Sequence, residues 1–279
     1  MRSIDVRAFR RLGFVVVENV VAPARIDRMR EKVLRHSRFG VRSAGGIAIA
    51  DFLAIPEFSF MHDLPNDPRM RAVLGRIFAG ERYRYCSHND IGIDRLAGWH
   101  KDKLNNEYTR YQRSPIFPAR AAPAASRWTP SRAGDGHFIV KAALYLSDHV
   151  DNNHSLMLVP GTHTKADYGT TGARFLHPKK GSLVVFEQRI THRGQSERGA
   201  AGRVMVSLGF GRVNRWTDEF EAGTRARQQN QRRCQDAMRT QQVRLEASGK
   251  VATHDWYKQT ICNGTRCGGK RSSLCMFAG

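Results

Sequence analysis

From Tyr83 to Phe210 the chain is cut into short β-rich runs separated by polar or glycine-containing turns, and this rhythm restricts the fold more than any other feature. The runs are Tyr83 to Leu96, His137 to Leu146, Leu156 to Val159, Ser182 to Phe186 and Arg203 to Phe210. Strands this short must stack into a sandwich or close into a barrel to bury their apolar faces. Together they make most of a double-sheet jelly roll. Ahead of them, the β-branched stretch Gly13 to Val21 leads to Pro23, a residue suited to the first turn of a helix. A helix from about Pro23 to His36 puts Ile26, Met29 and Val33 on one face, and a second from about Asp67 to Phe78 carries Met70, Val73, Leu74 and Ile77 at helical spacing. The expected class is mainly β with flanking helices.

One segment breaks the rhythm. Lys103 to Gly136 holds four prolines and the arginines Arg110, Arg113, Arg120, Arg127 and Arg132, with no clear period. A loop this long inside a domain is a lid, a binding loop or a surface insert, and its place directly after a candidate ligand pair favours a lid-like insert over 103–136, with Tyr111, Phe117 and Trp128 as its apolar contacts. After the last strand, Thr217-Asp218-Glu219 offers a cap for a polar helix over 217–246. The expected organisation is a single domain over 1–247 followed by a tail over 248–279 without a core pattern.

Composition narrows the class further. Apolar residues at 41% are too many for a disordered chain. The formal charge of +21 concentrates anions near the surface, so nucleic acid, an acidic membrane face or a phosphorylated or carboxylated small molecule are all favoured partners. A solvated helix face is the plainer explanation for Arg225, Arg227, Arg232, Arg233 and Arg239. The five cysteines (Cys86, Cys234, Cys262, Cys267 and Cys275) are too few and too unevenly placed for a disulfide scaffold, so reduced thiols in a cytoplasmic protein are expected. Cys262, Cys267 and Cys275 with His254 lack the spacing of a structural zinc site. No run approaches the roughly 20 apolar residues of a membrane span. The Arg-rich start, interrupted by Asp5, reads as part of the fold and not as a transit peptide.

The chemistry begins at Trp99-His100-Lys101-Asp102. Residues two apart at the end of a strand project to one side, so His100 and Asp102 can grip one metal ion together. By itself His-x-Asp is a weak signal. It gains weight from the β-run ending in Thr191-His192-Arg193-Gly194, because two histidines and one carboxylate make the facial triad that leaves iron positions open for co-substrate and dioxygen. Beyond His192, Arg203 opens another strand, and a guanidinium there is suited to binding a distal carboxylate through two parallel hydrogen bonds.

At this point the sequence resembles the phytanoyl-CoA dioxygenase-like branch of the iron(II) and 2-oxoglutarate oxygenases. The resemblance runs from about Gly13 to Phe210 through the opening Gly-Phe-Val-Val-Val-Glu-Asn-Val, the His100 and Asp102 pair, Ala143-Leu144-Tyr145-Leu146-Ser147-Asp148, the Asn152-Asn153 turn and Leu156-Met157-Leu158-Val159-Pro160-Gly161-Thr162-His163 to His192 and Arg203. It implies a double-stranded β-helix, the jelly-roll or cupin-like barrel. It implies Fe(II) held by His100, Asp102 and His192, and 2-oxoglutarate held by Arg203. His88 and Asn89 sit where relatives contact the co-substrate, and Lys141, on a strand face with Ala143 and Tyr145, is a candidate to point towards it. His163 is implied to be a turn residue. The departures are His154, where the family has glycine, and the longer insert after Asp102. They bear on the substrate and not on the reaction class. The reading is a dioxygenase that uses dioxygen to hydroxylate a small anionic substrate, releasing succinate and carbon dioxide. A carboxylate ligand at Asp102 argues for hydroxylation over halogenation. The competing readings are the same chemistry on nucleic acid or protein, or a non-catalytic basic binding module.

Overall fold

A seven-stranded antiparallel sheet runs through the described part of the chain, which in this computed structural model comprises residues 4–43, 46–95, 98–102, 136–165, 169–194, 202–225, 228–229, 232 and 236. The expected insert over 103–135, the tail after 247 and the cysteines Cys234, Cys262, Cys267 and Cys275 lie outside the described residues.

Helix α1 (Val6–Leu12) starts where the Asp5 carboxylate accepts the Ala8 N–H at 3.0 Å, and it stops at Gly13, whose φ of 84° lets its N–H turn back to the Phe9 carbonyl. Strand β1 (Phe14–Val17) follows at once. Helix α2 (Pro23–Arg35) opens on its proline as expected, and α3 (Pro68–Ile77) is capped by Asp67, whose carboxylate accepts the N–H groups of Arg69 and Met70. Between them lie β2 (Val41–Ser43) and β3 (Gly46–Ala50), which short length and a glycine and alanine content hid from the sequence pattern. The remaining strands are β4 (Tyr83–Ile93), β5 (Ile139–Tyr145), β6 (Leu156–Leu158), β7 (Arg174–Leu176), β8 (Leu183–Glu187), β9 (His192–Arg193) and β10 (Val204–Arg212). The large sheet has the order β1-β8-β5-β10-β4-β3-β2, and a small sheet has the order β7-β6-β9.

Alternation along the strands sorts the two faces of the large sheet. Val140, Ala142 and Leu144 of β5, with Val204, Val206 and Leu208 of β10, pack against Ile26, Met29 and Val33 of α2 and Met70, Val73, Leu74 and Ile77 of α3. The opposite face carries Ala143, Tyr145, Val184 and Phe186, which meet Leu156 and Leu158 of the small sheet. The barrel interior therefore lies between the two sheets, helices cover the outside, and the expected jelly-roll class is the one observed.

Helical residues 215–225 follow β10, and residues 228, 229, 232 and 236 are helical too. The cap is Asn214, whose side-chain oxygen accepts the Thr217 N–H at 3.1 Å, so the helix begins before the Thr217 expected from sequence. Glu221 ties this helix to β4 by accepting from Arg84 and from the Ser87 hydroxyl, with Arg225 bracing it from one helical turn away. Phe220 of the helix packs on Cys86 and Ile139 at one end of the barrel.

Gly13 couples three parts of this frame. A β-carbon there would lie 2.5 Å from Nδ1 of His163, and the positive φ strains any other residue. Gly13→Ala is expected to cost about 1–3 kcal/mol from left-handed strain and the close contact. The check is the urea midpoint at constant m-value; an unchanged midpoint would contradict it.

Candidate metal centre

One antiparallel bridge brings the distant histidines together. His100 N–H donates to the His192 carbonyl and His192 N–H to the His100 carbonyl, both at 2.9 Å. Directly opposed residues of this kind present their side chains side by side, and the two imidazole centroids are 4.2 Å apart. Asp102, two residues beyond His100, turns to the same side. Its Oδ1 lies 3.5 Å from Nε2 of His100 and 3.7 Å from Nε2 of His192.

Each ring is fixed by its other nitrogen. Nδ1 of His100 lies 2.7 Å from the Gly98 carbonyl and Nδ1 of His192 3.0 Å from that of Ile190. With the proton on Nδ1 donated to a carbonyl, Nε2 carries the lone pair that faces the site. The three donor atoms all lie within 4.8 Å of one another. Bonds of about 2 Å to one octahedral ion place neighbouring donors about 3 Å apart, so a small contraction closes this set on a cation. Two imidazoles and one carboxylate suit iron(II) and leave one face of the ion open. The residues present fit the metal.

Lys141 explains why only one oxygen of Asp102 faces the histidines. Its Nζ is 2.5 Å from Oδ2, and it also lies over the Phe186 ring at 5.6 Å. Burial opposes ionisation of Asp102, but the Lys141 ammonium and then His192 and His100 outweigh it and hold the carboxyl well below the usual range. Burial, helped by His100 and Lys141 and opposed by Asp102, pushes the His192 pKa down to about 3. Asp102 is thus ionised and His192 neutral at neutral pH, the states in which each binds a metal.

The residue between the first two ligands holds the turn. The Lys101 side chain is buried, and its ammonium donates to the carbonyls of Thr162 at 2.5 Å, Arg189 at 2.9 Å and Lys165 at 3.1 Å. Thr162 also accepts the Thr191 N–H on its hydroxyl at 2.9 Å, next to His192. The Pro160-Gly161-Thr162-His163 turn therefore grips both halves of the triad. Beneath it Arg189 and Glu187 form a fully buried ion pair, Nε to Oε1 2.9 Å. Sequence reading missed Lys101, Thr162 and Arg189, because nothing in a linear pattern marks a charge that will be buried against carbonyls. Gln188 was missed for the same reason: it is fully buried on the same strand parity as Phe186, and neither amide atom has a hydrogen-bond partner.

His88 shares with Asp90 the face of β4 that looks into the barrel, its Nε2 3.5 Å from Asp90 Oδ2 and its ring beside Phe220. Its neighbour Asn89 faces outward and holds Asp51 and the Leu53 N–H. His163 has the turn role expected, with Nε2 3.0 Å from the Arg10 carbonyl. Arg203 lies just ahead of β10 on its interior parity, two residues from Met205, which pairs with Tyr145. Its Nη2 donates to Asp151 at 3.1 Å while the buried Nη1 has no partner.

Buried histidines set an acid limit on the metal-free protein. Burial, and then Arg203, push His149 down to about 4, beside about 3 for His192. Both lie below the roughly 6.5 of an unfolded chain. The unfolded state therefore takes up protons first, so their stabilisation is complete above about 6.5 and is lost as pH falls towards 4, at about 1.4 kcal/mol per pH unit for each histidine. Urea midpoints of the apoprotein between pH 7.5 and 4.5 are expected to fall accordingly, and less steeply in His149→Phe. A flat profile would contradict the burial.

Comparison with known proteins follows the same lines. A family model described as phytanoyl-CoA dioxygenase (PhyH) matches residues 9–205. Compared with curated proteins, the chain shows no match. Among solved structures it is similar to HygX from Streptomyces hygroscopicus, solved with nickel and 2-oxoglutarate bound, at TM-score 0.55 and 16% identity over 76% of this chain and 88% of that one. It is similar to AviO1 from Streptomyces viridochromogenes Tue57 at TM-score 0.54 and 17% identity, over 76% and 97% of the two chains. It is also similar to SnoN, described as a non-heme alpha ketoglutarate dependent epimerase from nogalamycin biosynthesis, at TM-score 0.54 and 17% identity over 75% and 79%. At these identities the likeness is one of fold.

Proposed function

The chain belongs to the phytanoyl-CoA dioxygenase family and is a dioxygenase-type enzyme of iron and 2-oxoglutarate, and from this premise we propose that it hydroxylates a small anionic organic substrate, releasing succinate and carbon dioxide. The observation that carries the reading is the convergence of His100, Asp102 and His192 on one point, with donor atoms within 4.8 Å. Iron with 2-oxoglutarate and dioxygen supplies the oxidation: the co-substrate leaves as succinate and carbon dioxide with one oxygen atom, and the other enters a substrate C–H bond.

The protein's share is placement. His100, Asp102 and His192 hold one face of the ion, and Lys141 keeps the second oxygen of Asp102 away from it. Arg203 offers its unpartnered Nη1 edge to the distal carboxylate of 2-oxoglutarate from within the barrel, where a charge-assisted hydrogen bond is little screened. The His100 side chain, 40% exposed against 5% for His192, marks the side from which substrate and dioxygen approach. Gln188, whose carbonyl accepts the Asp102 N–H at 3.1 Å, brings a buried amide to the neighbourhood of the triad. The +21 charge supports an anionic substrate, and HygX, solved with hygromycin B bound, is a structural neighbour that takes a small molecule. Among the described residues no helix is long and apolar enough to cross a membrane.

Succinate release that requires added iron(II) and 2-oxoglutarate is the expected activity, and His192→Ala is expected to reduce it to background. Arg203→Met is expected to raise the KM for 2-oxoglutarate by about 10- to 100-fold, the worth of a charge-assisted hydrogen bond, with metal affinity unchanged. With substrate found by screening acidic metabolites, mass spectrometry should show a product heavier by one oxygen atom. A product of unchanged mass, as from an epimerase, would refute hydroxylation, and iron-independent turnover would refute the reaction class.

A further inference from the structure

Where the end of β5 runs beside the start of β10, two buried polar groups lie close enough for the charge of one to act on the other, with hydrogen-bonding capacity to spare. One is Nη1 of Arg203. The other is His149, 8% exposed, whose ring has no well-formed hydrogen bond and at most one nitrogen engaged, towards the His154 main chain. The chain brings them together through the end of β5 and the start of β10. Leu146 N–H donates to the Val204 carbonyl and Val204 N–H to the Ser147 hydroxyl, both at 2.9 Å, so 145–149 run beside Arg203. His149 N–H donates to the Pro178 carbonyl at 3.0 Å, which fixes its backbone, and its ring stands edge-on to Tyr145 with centroids 4.6 Å apart. Tyr145 points into the barrel with Ala143 and Phe186.

A buried guanidinium edge with no partner, beside a buried imidazole with a ring nitrogen to spare, is costly to leave so. Nothing apolar about the position requires a histidine, and Asp151, which takes the other Arg203 nitrogen, is on the open side with its carboxylate 44% exposed. What completes the pair is an acceptor with more than one oxygen that arrives from the barrel. We propose that His149 is a second co-substrate-binding residue, donating a ring N–H to the distal carboxylate that Arg203 clamps. One oxygen of that carboxylate meets Nη1 of Arg203 and the other meets His149, so the two side chains fix both its position and its plane. The consequence is selectivity for a five-carbon oxo diacid: the clamp stands at the end of the barrel and rewards a carboxylate only at the right reach. This inference rests on the reading of the protein as a 2-oxoglutarate enzyme.

The test compares two ligands that share the metal-chelating end. 2-Oxoglutarate carries the distal carboxylate; 2-oxopentanoate has the same chain length and lacks it. Binding of each to the nickel-loaded full chain is measured by titration calorimetry without turnover, for wild type, His149→Phe and His149→Gln. Expected is a loss of about 10- to 100-fold in 2-oxoglutarate affinity for His149→Phe, no change for 2-oxopentanoate, nickel affinity as in wild type, and a thermal midpoint no lower than wild type. His149→Gln, which keeps an N–H donor and does not depend on the phenyl ring being accommodated, should recover most of the loss. Equal losses for both ligands, or no loss in either variant, would overturn the proposal. Failure of the wild-type protein to bind 2-oxoglutarate at all would instead overturn the enzyme reading beneath it.

Discussion

The metal centre depends on a pair of backbone hydrogen bonds. The reciprocal bonds between His100 and His192 are what place two imidazoles side by side, and no side-chain force of comparable precision does this. Everything nearby serves to keep that bridge in register. Lys101 ties the first strand end to three carbonyls, and Thr162 joins one of those carbonyls to the N–H beside His192. The Arg189 and Glu187 pair fills the space below with a charge-neutral, hydrogen-bonded plug. The triad is therefore a property of a small network, and its ligands inherit their geometry from the main chain.

Much of this was legible in the sequence, and the reasons differ by element. Helices α2 and α3 declare themselves through apolar residues at helical spacing and through Pro23 and Pro68 at their first positions. The long central strands do so through β-branched runs. Strands β2, β3, β7 and β9 did not, since strands of two or three residues, or with a glycine, are made by their partners and carry little pattern of their own. The convergence of His100, Asp102 and His192 was legible because the three combine spacing with residue type. Lys101 lay in plain view between two of them, yet burial of its ammonium against carbonyls depends on the Thr162 turn arriving from sixty residues downstream.

Lys141 shows how the same residue can be found for one reason and matter for another. The strand parity that points it inward was readable, and an anionic co-substrate was the expected partner. In the structure its ammonium sits on Asp102. A carboxylate with one oxygen committed to a lysine offers a metal a single donor atom, which preserves the vacant coordination positions that a reaction with dioxygen needs.

The attachment of the C-terminal helix has a different character from the metal centre. Glu221 gathers Arg84, Ser87 and Arg225 at the rim, and these arginine side chains are 31% and 64% exposed, whereas Lys141 and Asp102 are 14% and 13% exposed. Dissolved ions reach the first set and hardly touch the second. The tie between this helix and β4 is accordingly the more sensitive of the two to ionic strength, and added salt loosens the outer arginines before it weakens the hold of Lys141 on Asp102.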